Sequence, residues 1–309
     1  MIRQTIQDVV SSITETCMEE DVYVTDEAGM HLPNRGAIIG IIKDLRRVIF
    51  PGYFGDENIS STMPGYFLGN MLTHIYEALR VEMEVAYLYE DRGKTDRETI
   101  SRKSREVCER FISRLPYIQK MLLMDVQAGF DGDPAAKSKE DIIFSYPGLF
   151  AIYVYRIAHE LYVQNVPFIP RIMTEYAHGK TGIDINSGAE IGRYFFIDHG
   201  TGIVIGETTV IGDYVKLYQG VTLGALSTRK GQQLAGVKRH PTIGDHVTIY
   251  ANSTILGGET EIGCNSVIGG NSFITESVPA NTRVSIKSPE LTFKGGSEEE
   301  KESLWDDEI

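Results

Sequence analysis

Two histidines in the sequence have neighbours that suit acid–base chemistry. His199 directly follows Asp198 in the run FIDHGTG, and His240 directly follows Arg239 in the run KRHP. An imidazole ionises near neutral pH, so a well-placed histidine can take a proton from a weak nucleophile such as an alcohol. Asp184 precedes His199 by fifteen residues and is a candidate carboxylate to orient the ring. This pattern makes both histidines candidates for a general base, with a candidate carboxylate partner for His199.

A six-residue repeat surrounds these candidates and defines the element that must position them. Ile185, Ile191, Ile197 and Ile203 follow one another at intervals of six, and Ile or Val occupies eight of the nine further positions of the series, which slips by one residue before Ile262. These nine are Thr209, Val215, Val221, Ile243, Ile249, Ile255, Ile262, Ile268 and Ile274. Such a period is typical of a β-helix in which each hexapeptide forms one short strand and one turn. The alternative is an antiparallel sheet with accidental spacing.

The rest of the chain divides around this repeat. Apolar residues at helical spacing predict five helices over 1–20, 36–49, 65–92, 97–125 and 148–165. We therefore predict an α+β protein with an all-helical N-terminal domain over 1–178 and a parallel β-helix over 179–285. Residues 224–242 interrupt the repeat as an extruded loop, and such long insertions are usually functional. The acidic segment 286–309 is predicted to be a flexible tail.

Composition excludes several classes of function. The net charge of −13 argues against nucleic acid and anionic membranes as partners, and no apolar run is long enough to span a bilayer. The N-terminus lacks the apolar core of a signal peptide. Cys17, Cys108 and Cys264 are too few and too scattered for a disulfide framework. These features predict a cytoplasmic protein.

Four stretches together resemble the serine acetyltransferases. They are YPGLFAIYVYRIAHELY (146–162), GIDINSGAEIGRYFFIDHGTGIVIGET (182–208), VTLGAL (221–226) and KRHPTIGD (238–245). The resemblance covers roughly residues 130–280. It implies a left-handed β-helix and transfer of an acetyl group from acetyl-CoA to the hydroxyl of L-serine, in cysteine biosynthesis.

The resemblance also implies roles for individual residues. His199 would be the general base and Asp184 the carboxylate that holds its ring. Asp133 and Asp198 would bind the substrate ammonium, and the substrate carboxylate would be bound by Arg239 and His240. These charges suit a zwitterionic amino acid, because carboxylates attract its ammonium and a guanidinium can bind both oxygens of its carboxylate. Glu207, in the run GET, matches the family too without a defined role.

For acetyl-CoA, the resemblance implies contacts of the pantetheine arm with small residues along the coil edge, and no metal. The matching positions are Gly224, Ala225, Ala251 and Gly270. The chain departs from the family after the last coil, where RVSIKSPELTF replaces the usual Gly-Val-Pro-Ala motif. Cations that could hold the nucleotide end of CoA instead are Lys230, Arg283 and Lys287.

Further implications concern assembly and regulation. A three-faced prism favours trimers with sites at the seams between chains, and some relatives pair two trimers. L-cysteine, which differs from serine by one atom, is expected to inhibit at the serine site. The terminal Ile309, after two aspartates and a glutamate, is expected to dock into O-acetylserine sulfhydrylase.

Other functions remain open at this stage. The same fold could acetylate homoserine, another amino acid or a sugar, or the chain could serve chiefly as a tail-mediated scaffold for the sulfhydrylase. A γ-type carbonic anhydrase also uses this fold and needs three histidines around Zn²⁺. His199, His240 and His246 are the histidines available in the coils, but Arg239 is a poor neighbour for a zinc ligand.

Overall fold

The helical region of the protein precedes the repeat, as predicted. The computed structural model describes residues 2–19, 31–55 and 64–287. Its helices are α1 (Ile2–Glu19), α2 (Arg35–Ile49), α3 (Pro64–Asp91), α4 (Arg97–Gly132), α5 (Lys139–Ser145), α6 (Pro147–Tyr162) and α7 (Ile169–Thr181). Five of them correspond to the predicted segments. Helices α5 and α7 were not predicted: α5 has only seven residues, and the first residues of α7 include Pro170.

Helix α4 is seven residues longer than predicted. It continues through the glycine-containing run GFDG (129–132) and ends at Gly132. Those glycines are needed for contact with the first coil, because a Cβ on Gly132 would lie 2.8 Å from the Phe196 ring. The glycines thus mark close packing of a helix rather than its end.

The C-terminal half is a parallel β-helix with three sheets. Its strands are β1 (Asp184–Ile185), β2 (Glu190–Ile191), β3 (Phe196–Asp198), β4 (Val204–Ile205), β5 (Val210–Ile211), β6 (Lys216–Tyr218), β7 (Thr222–Gly224), β8 (Thr242–Ile243), β9 (Thr248–Ile249), β10 (Thr254–Leu256), β11 (Glu261–Ile262), β12 (Val267–Ile268), β13 (Phe273–Ile274) and β14 (Arg283–Val284). Sheet 1 has the order β1-β4-β7-β10-β13, sheet 2 has β2-β5-β8-β11, and sheet 3 has β3-β6-β9-β12-β14.

Three corners join these sheets. Corner A leads from sheet 3 to sheet 1 and includes 199–203 and 250–253. Corner B leads from sheet 1 to sheet 2 and includes 206–209 and the extruded loop. Corner C leads from sheet 2 to sheet 3. All thirteen residues of the six-residue series point into the prism and are at most 9% exposed, which confirms that prediction.

The first coil contains an insertion that the repeat count did not reveal. Asp184 pairs with Val204, twenty residues later (204 − 184), whereas Val204 pairs with Thr222, eighteen residues later (222 − 204). The two extra residues lie in corner A, within 199–202. Side chains alternate along a strand with a period of two, so an insertion of two residues still leaves Ile203 pointing inward. The six-residue spacing of inward-pointing residues therefore continues through the insertion, and the spacing does not reveal it.

Helix α6 completes the first coil, which has no coil beneath it. The Tyr155 hydroxyl donates to the carbonyl of Ala189 at 2.6 Å, and Arg156 donates to the carbonyls of Ile191 and Gly192 at 3.3 and 2.8 Å. Arg156 also forms a buried bidentate ion pair with Asp125 of α4, at 2.6 and 2.8 Å. Backbone groups that would otherwise be buried without partners are satisfied in this way.

None of the helices in the described part of the chain combines the length and apolar character that a bilayer span requires.

Candidate active site

His199 projects from the two-residue insertion in corner A. Its backbone is left-handed, with φ at 59°, and Gly200 and Gly202 follow with φ at 93° and 83°. The backbone at Gly200 is tightly enclosed, because a Cβ there would lie 2.5 Å from Ile183 Cδ1. The His199 side chain is 77% exposed in a single chain. The insertion therefore presents an imidazole on the outside of the prism.

Two of the predicted ammonium ligands lie close to His199. Asp198 Oδ1 is 3.9 Å from His199 Nε2, and Asp198 Oδ2 forms an ion pair with Lys216 Nζ at 2.9 Å. Asp133 accepts hydrogen bonds from the Tyr146 hydroxyl at 2.5 Å and from the Ala135 N–H at 2.8 Å.

These hydrogen bonds lower the pKa of Asp133, the one from Tyr146 contributing most, and Lys216 and His199 lower it further by their charge. Burial and the carboxylate of Asp133 raise the pKa of Tyr146 to about 12. The structure thus gathers Asp133, Asp198, His199 and Lys216 at one end of corner A.

Asp184 has different neighbours in a single chain. Its carboxylate groups with the Glu175 carboxylate and the His178 ring of α7, with ligand atoms within 4.8 Å of one another. Among the described residues no hydrogen bond joins Asp184 to His199. This is also the only cluster of three potential metal ligands in the described part of the chain, so His199, His240 and His246 do not converge on a zinc site within one chain.

Corner B holds the second group of predicted residues. Arg239 forms an ion pair with Glu207 through Nη2, and its Nη1 donates to the carbonyl of Leu234 at 3.2 Å. Glu207 also accepts a hydrogen bond from the Tyr162 hydroxyl at 3.0 Å. Glu207, whose role the sequence left undefined, therefore holds the guanidinium of Arg239 against the extruded loop.

His240 is 9% exposed and packs against the backbone of the corner. A Cβ on Gly206 would lie 2.1 Å from the imidazole ring, so only glycine fits there. The Thr208 N–H lies 3.1 Å from His240 Nδ1, so Nδ1 is an acceptor and we assign the ring proton to Nε2. Burial, followed by the charge of Arg239, lowers the pKa of His240 to about 4. His240 is thus a neutral hydrogen-bond donor at neutral pH.

The residues predicted to bind acetyl-CoA divide between the same two corners. Ala251 and Gly270 are stacked at corner A, where a Cβ on Gly270 would lie 3.1 Å from the Ala251 carbonyl oxygen. Gly224 pairs with Leu256 at the start of corner B, and Ala225 follows it into the loop. A cavity of about 350 Å³ begins at Leu226, the residue after Ala225, and lies between the extruded loop and residues 257–260. Lys230 is among the residues that line it.

The candidate residues of one chain therefore form two half-sites. One half-site carries His199, Asp198 and Asp133, and the other carries Arg239 and His240. Residues 203–206 cross the face between them at roughly 3.3 Å per residue, so the two half-sites are separated by about 10 Å or more. The two groups therefore lie at different corners of the prism on one chain.

Sequence reasoning missed three residues of these half-sites. Tyr146 begins one of the four quoted stretches, but its contact with Asp133 depends on how α4 and α6 pack. Lys216 occupies an outward strand position that carries no sequence signal. Thr208 orients His240 from a position thirty-two residues earlier. Ile309, predicted to bind a partner, lies outside the described residues.

Comparison with known proteins assigns the family. No family model matches the sequence. A curated protein of Synechococcus elongatus, named "Serine acetyltransferase, plasmid", is 44% identical over 223 residues, which cover 70% of each chain. The chain belongs to the serine acetyltransferase family.

Solved structures of serine acetyltransferases agree with this assignment. Isoform 3 of Entamoeba histolytica, in complex with cysteine, superposes with a TM-score of 0.71 at 32% identity and covers 86% of this chain and 87% of its own. A serine acetyltransferase in complex with CoA gives a TM-score of 0.51 at 27% identity, over 80% of this chain and 96% of its own. The predicted fold, helices followed by a left-handed parallel β-helix, is confirmed, and the protein is an acyltransferase.

Proposed function

We propose that this acetyltransferase joins L-serine and acetyl-CoA at a seam between two chains, where corner A of one faces corner B of the next. The observation that carries this proposal is the division of the candidate residues between two corners of one prism. Corner A offers the base and the ammonium ligands, and corner B offers the ligands for the carboxylate. A trimer supplies three equivalent seams, and two trimers could associate further.

In this mechanism His199 takes the proton of the serine hydroxyl. The oxygen then attacks the thioester carbonyl carbon of acetyl-CoA, and the carbon–sulfur bond breaks to release the CoA thiolate. The thiolate takes the proton back from His199, which yields O-acetylserine and free CoA without a covalent enzyme intermediate. Asp184 orients the ring in the assembled site. The exposure of the His199 side chain leaves it free to turn towards that carboxylate, and catalytic hydrogen bonds often tighten only when substrate binds.

The substrate charges are matched by the two half-sites. The serine ammonium lies between Asp133 and Oδ1 of Asp198, since Oδ2 of Asp198 is occupied by Lys216. Across the seam, the serine carboxylate accepts hydrogen bonds from Arg239 and from Nε2 of His240. A neutral histidine donates without adding charge, so Arg239 supplies the positive charge.

Acetyl-CoA is the co-substrate, and its pantetheine arm runs along the coil edge. Small residues at Gly224, Ala225, Ala251 and Gly270 let the arm approach the backbone closely. The cavity between the extruded loop and residues 257–260 offers Lys230 for the nucleotide end of CoA. L-cysteine, bound in one related structure, is expected to compete with serine, because it presents the same ammonium and carboxylate groups.

The decisive experiment measures serine-dependent release of the CoA thiol from acetyl-CoA by the purified protein. His199→Ala should lower kcat by about 10²–10⁴-fold, the usual contribution of a positioned base. His74→Ala is the control, since this ring is 69% exposed on α3 and touches neither corner. Near-normal turnover by His199→Ala would overturn the assigned role.

Acceptor specificity is tested in the same assay. Homoserine carries one more methylene than serine, and its hydroxyl would lie beyond the reach that positions serine for His199. We expect turnover with serine to exceed that with homoserine, and we expect D-serine to be inactive. Competition by L-cysteine against serine in the unaltered chain, together with weaker calorimetric binding of L-cysteine to Arg239→Ala, would support a shared site. Purely noncompetitive inhibition would contradict it.

A cytoplasmic location is part of the proposal. All three cysteines, Cys17, Cys108 and Cys264, are free thiols, which suits a reducing compartment. Cell fractionation with an antibody against the chain would test the location, and recovery outside the cytoplasm would contradict it.

A further inference from the structure

A cavity in the helical region has the properties of an anion site and shares only Tyr146 with the half-sites. It encloses about 370 Å³ between α2, the junction of α5 and α6, and α7. Three cationic side chains line it, namely Lys43, Arg46 and Lys180, and no aspartate or glutamate does. A cavity of this size is large enough for a small metabolite.

Arg46 is the cation that lies deepest. Its guanidinium carbon lies 3.7 Å from the centroid of the Phe54 ring, and Nη2 donates to the carbonyl of Ile143 at 3.2 Å. Nε is buried and has no hydrogen-bond partner, and within the described residues Arg46 is in no ion pair. Burial lowers its pKa, which reflects the cost of holding this charge away from water. A bound anion would offset that cost, and a guanidinium can bind two oxygens of an oxyanion at once.

The start of helix α6 adds positive potential on the same side. Tyr146 is the N-cap residue and makes no capping hydrogen bond with its side chain, and Pro147 follows it. Both residues line the cavity. The N-terminal end of a helix carries a partial positive charge that favours anions. The C-terminal ends of α5 and α7 also line the cavity and carry the opposite partial charge, so the three cations supply most of the positive potential.

We propose that this cavity binds a phosphate or sulfate group carried by a small molecule with a flat ring. The oxyanion contacts Arg46, with Lys43 and Lys180 beside it. The ring packs against the aromatic side chains of Phe150 and Tyr176, which line the same cavity.

The walls of the cavity lead to the serine half-site, which makes the bound anion a candidate effector. Tyr146 is among the residues that line the cavity, and its hydroxyl donates to Asp133. On another wall, Thr181 precedes Gly182, whose carbonyl accepts the N–H of Gly202 in the corner that holds His199. An occupant that shifts either contact changes serine binding. This last step rests on the proposed function, whereas binding of the anion does not.

The test is equilibrium binding to the full-length chain, measured calorimetrically with inorganic phosphate, inorganic sulfate and adenosine monophosphate against sodium chloride of equal ionic strength. We expect both inorganic oxyanions to bind and the nucleotide to bind more tightly. Arg46→Met and Lys180→Gln should each weaken binding by about tenfold, the effect of losing one charge-assisted hydrogen bond. Lys120→Gln, an exposed lysine of α4 outside the cavity, should bind like the unaltered chain.

Each outcome decides the proposal. The proposal is overturned if the oxyanions bind no more tightly than chloride. It is also overturned if both variants still bind the nucleotide, because the nucleotide would then occupy another site. Binding of the inorganic ions alone would overturn the flat-ring part. Because Lys180→Gln alters a partly exposed side chain, it remains informative if Arg46→Met does not fold. Calorimetry does not require turnover, so failure here is distinguishable from failure of the proposed function. If binding holds, the nucleotide should change the KM for serine more than the KM for acetyl-CoA.

Discussion

At the scale of single residues, the charge balance of the proposed ammonium subsite depends on Lys216 and Tyr146, two side chains outside the predicted set. Lys216 Nζ bridges Asp198 Oδ2 and the carbonyl of Gly132, at 2.9 and 2.8 Å. Tyr146 donates to Asp133. Lys216 thus partly neutralises Asp198, whereas Tyr146 keeps Asp133 ionised. The remaining negative charge matches a single ammonium rather than two.

Removal of the Tyr146 hydroxyl should weaken serine binding specifically. In Tyr146→Phe, Asp133 loses the hydrogen bond that lowers its pKa most, and its carboxylate becomes free to rotate. A hydrogen bond to a charged group contributes about 1.5–3 kcal/mol, so we expect the KM for serine to rise by about tenfold or more. The KM for acetyl-CoA should stay within about twofold. Tyr66→Phe, at an exposed position of α3, is the control. Equal increases in both constants would contradict a specific role at the ammonium.

The protonation state of His240 bears on how activity and stability depend on pH. Its pKa is lowered to about 4 by burial and by Arg239, so the ring is neutral above that value and carries a proton on Nε2 throughout the neutral range. Activity that titrates between pH 6 and 8 must therefore arise from another group. A folded-state pKa below the ordinary value also means that protonation of His240 destabilises the fold, and this loss appears only as the pH falls below the ordinary value for histidine.

At the scale of elements, the contact of α6 and α4 with the first coil holds the two regions together. Arg156 satisfies two coil carbonyls and the buried Asp125 carboxylate, which in turn accepts the N–H of Phe195 at 3.0 Å. Removal of a single partner from such a buried pair is costly because the remaining charge has no partner.

Arg156→Met should accordingly lower thermal stability sharply. We expect a loss of about 3–5 kcal/mol, the typical cost of leaving a buried charge unpaired. Arg114→Met is the matched control, because Arg114 also joins α4 to α6, through Glu160, but is 46% exposed. An exposed ion pair contributes about 1 kcal/mol or less. Differential scanning calorimetry at one protein concentration measures both variants. Similar shifts in Tm for the two would show that the buried pair has no special importance.

At the scale of the whole molecule, the proposed seam makes catalysis a property of two chains. His199→Ala and Arg239→Ala each abolish one half-site, so each variant alone should be nearly inactive. In randomly mixed trimers of the two, a mixed trimer has one seam of three in which both half-sites are intact. Since about three quarters of the trimers are mixed, we expect about a quarter of normal activity. No recovery after co-refolding, with trimers verified by mass, would mean that each site lies within one chain.

The C-terminal residue provides a second prediction at this scale. We propose that Ile309 docks into a partner, because an apolar side chain beside a carboxylate suits a pocket built for an amino-acid carboxylate. The full-length chain should bind O-acetylserine sulfhydrylase of the same organism, and a chain lacking Ile309 should bind at least about tenfold more weakly. Ile309→Leu, which keeps the carboxylate and an apolar side chain, should retain most of the affinity. Equal affinity with and without Ile309 would contradict the docking role.

The sequence by itself determined the β-helix, because a β-branched residue at every sixth position can fill the narrow interior of the prism. All thirteen predicted residues are buried there. It also indicated the residue types of the site, since motifs such as DHG and RHP are contiguous in the chain. It could not reveal the two-residue insertion at His199, because the alternation of side chains conceals a shift of two. Nor could it place Lys216 beside Asp198, or Tyr146 beside Asp133, because these contacts join strands and helices that are distant along the chain. Only the tertiary structure showed that the candidate site residues divide between two corners. The repeat determines whether a side chain points into the prism or out of it, whereas the lengths of the coils determine which corner the residue occupies.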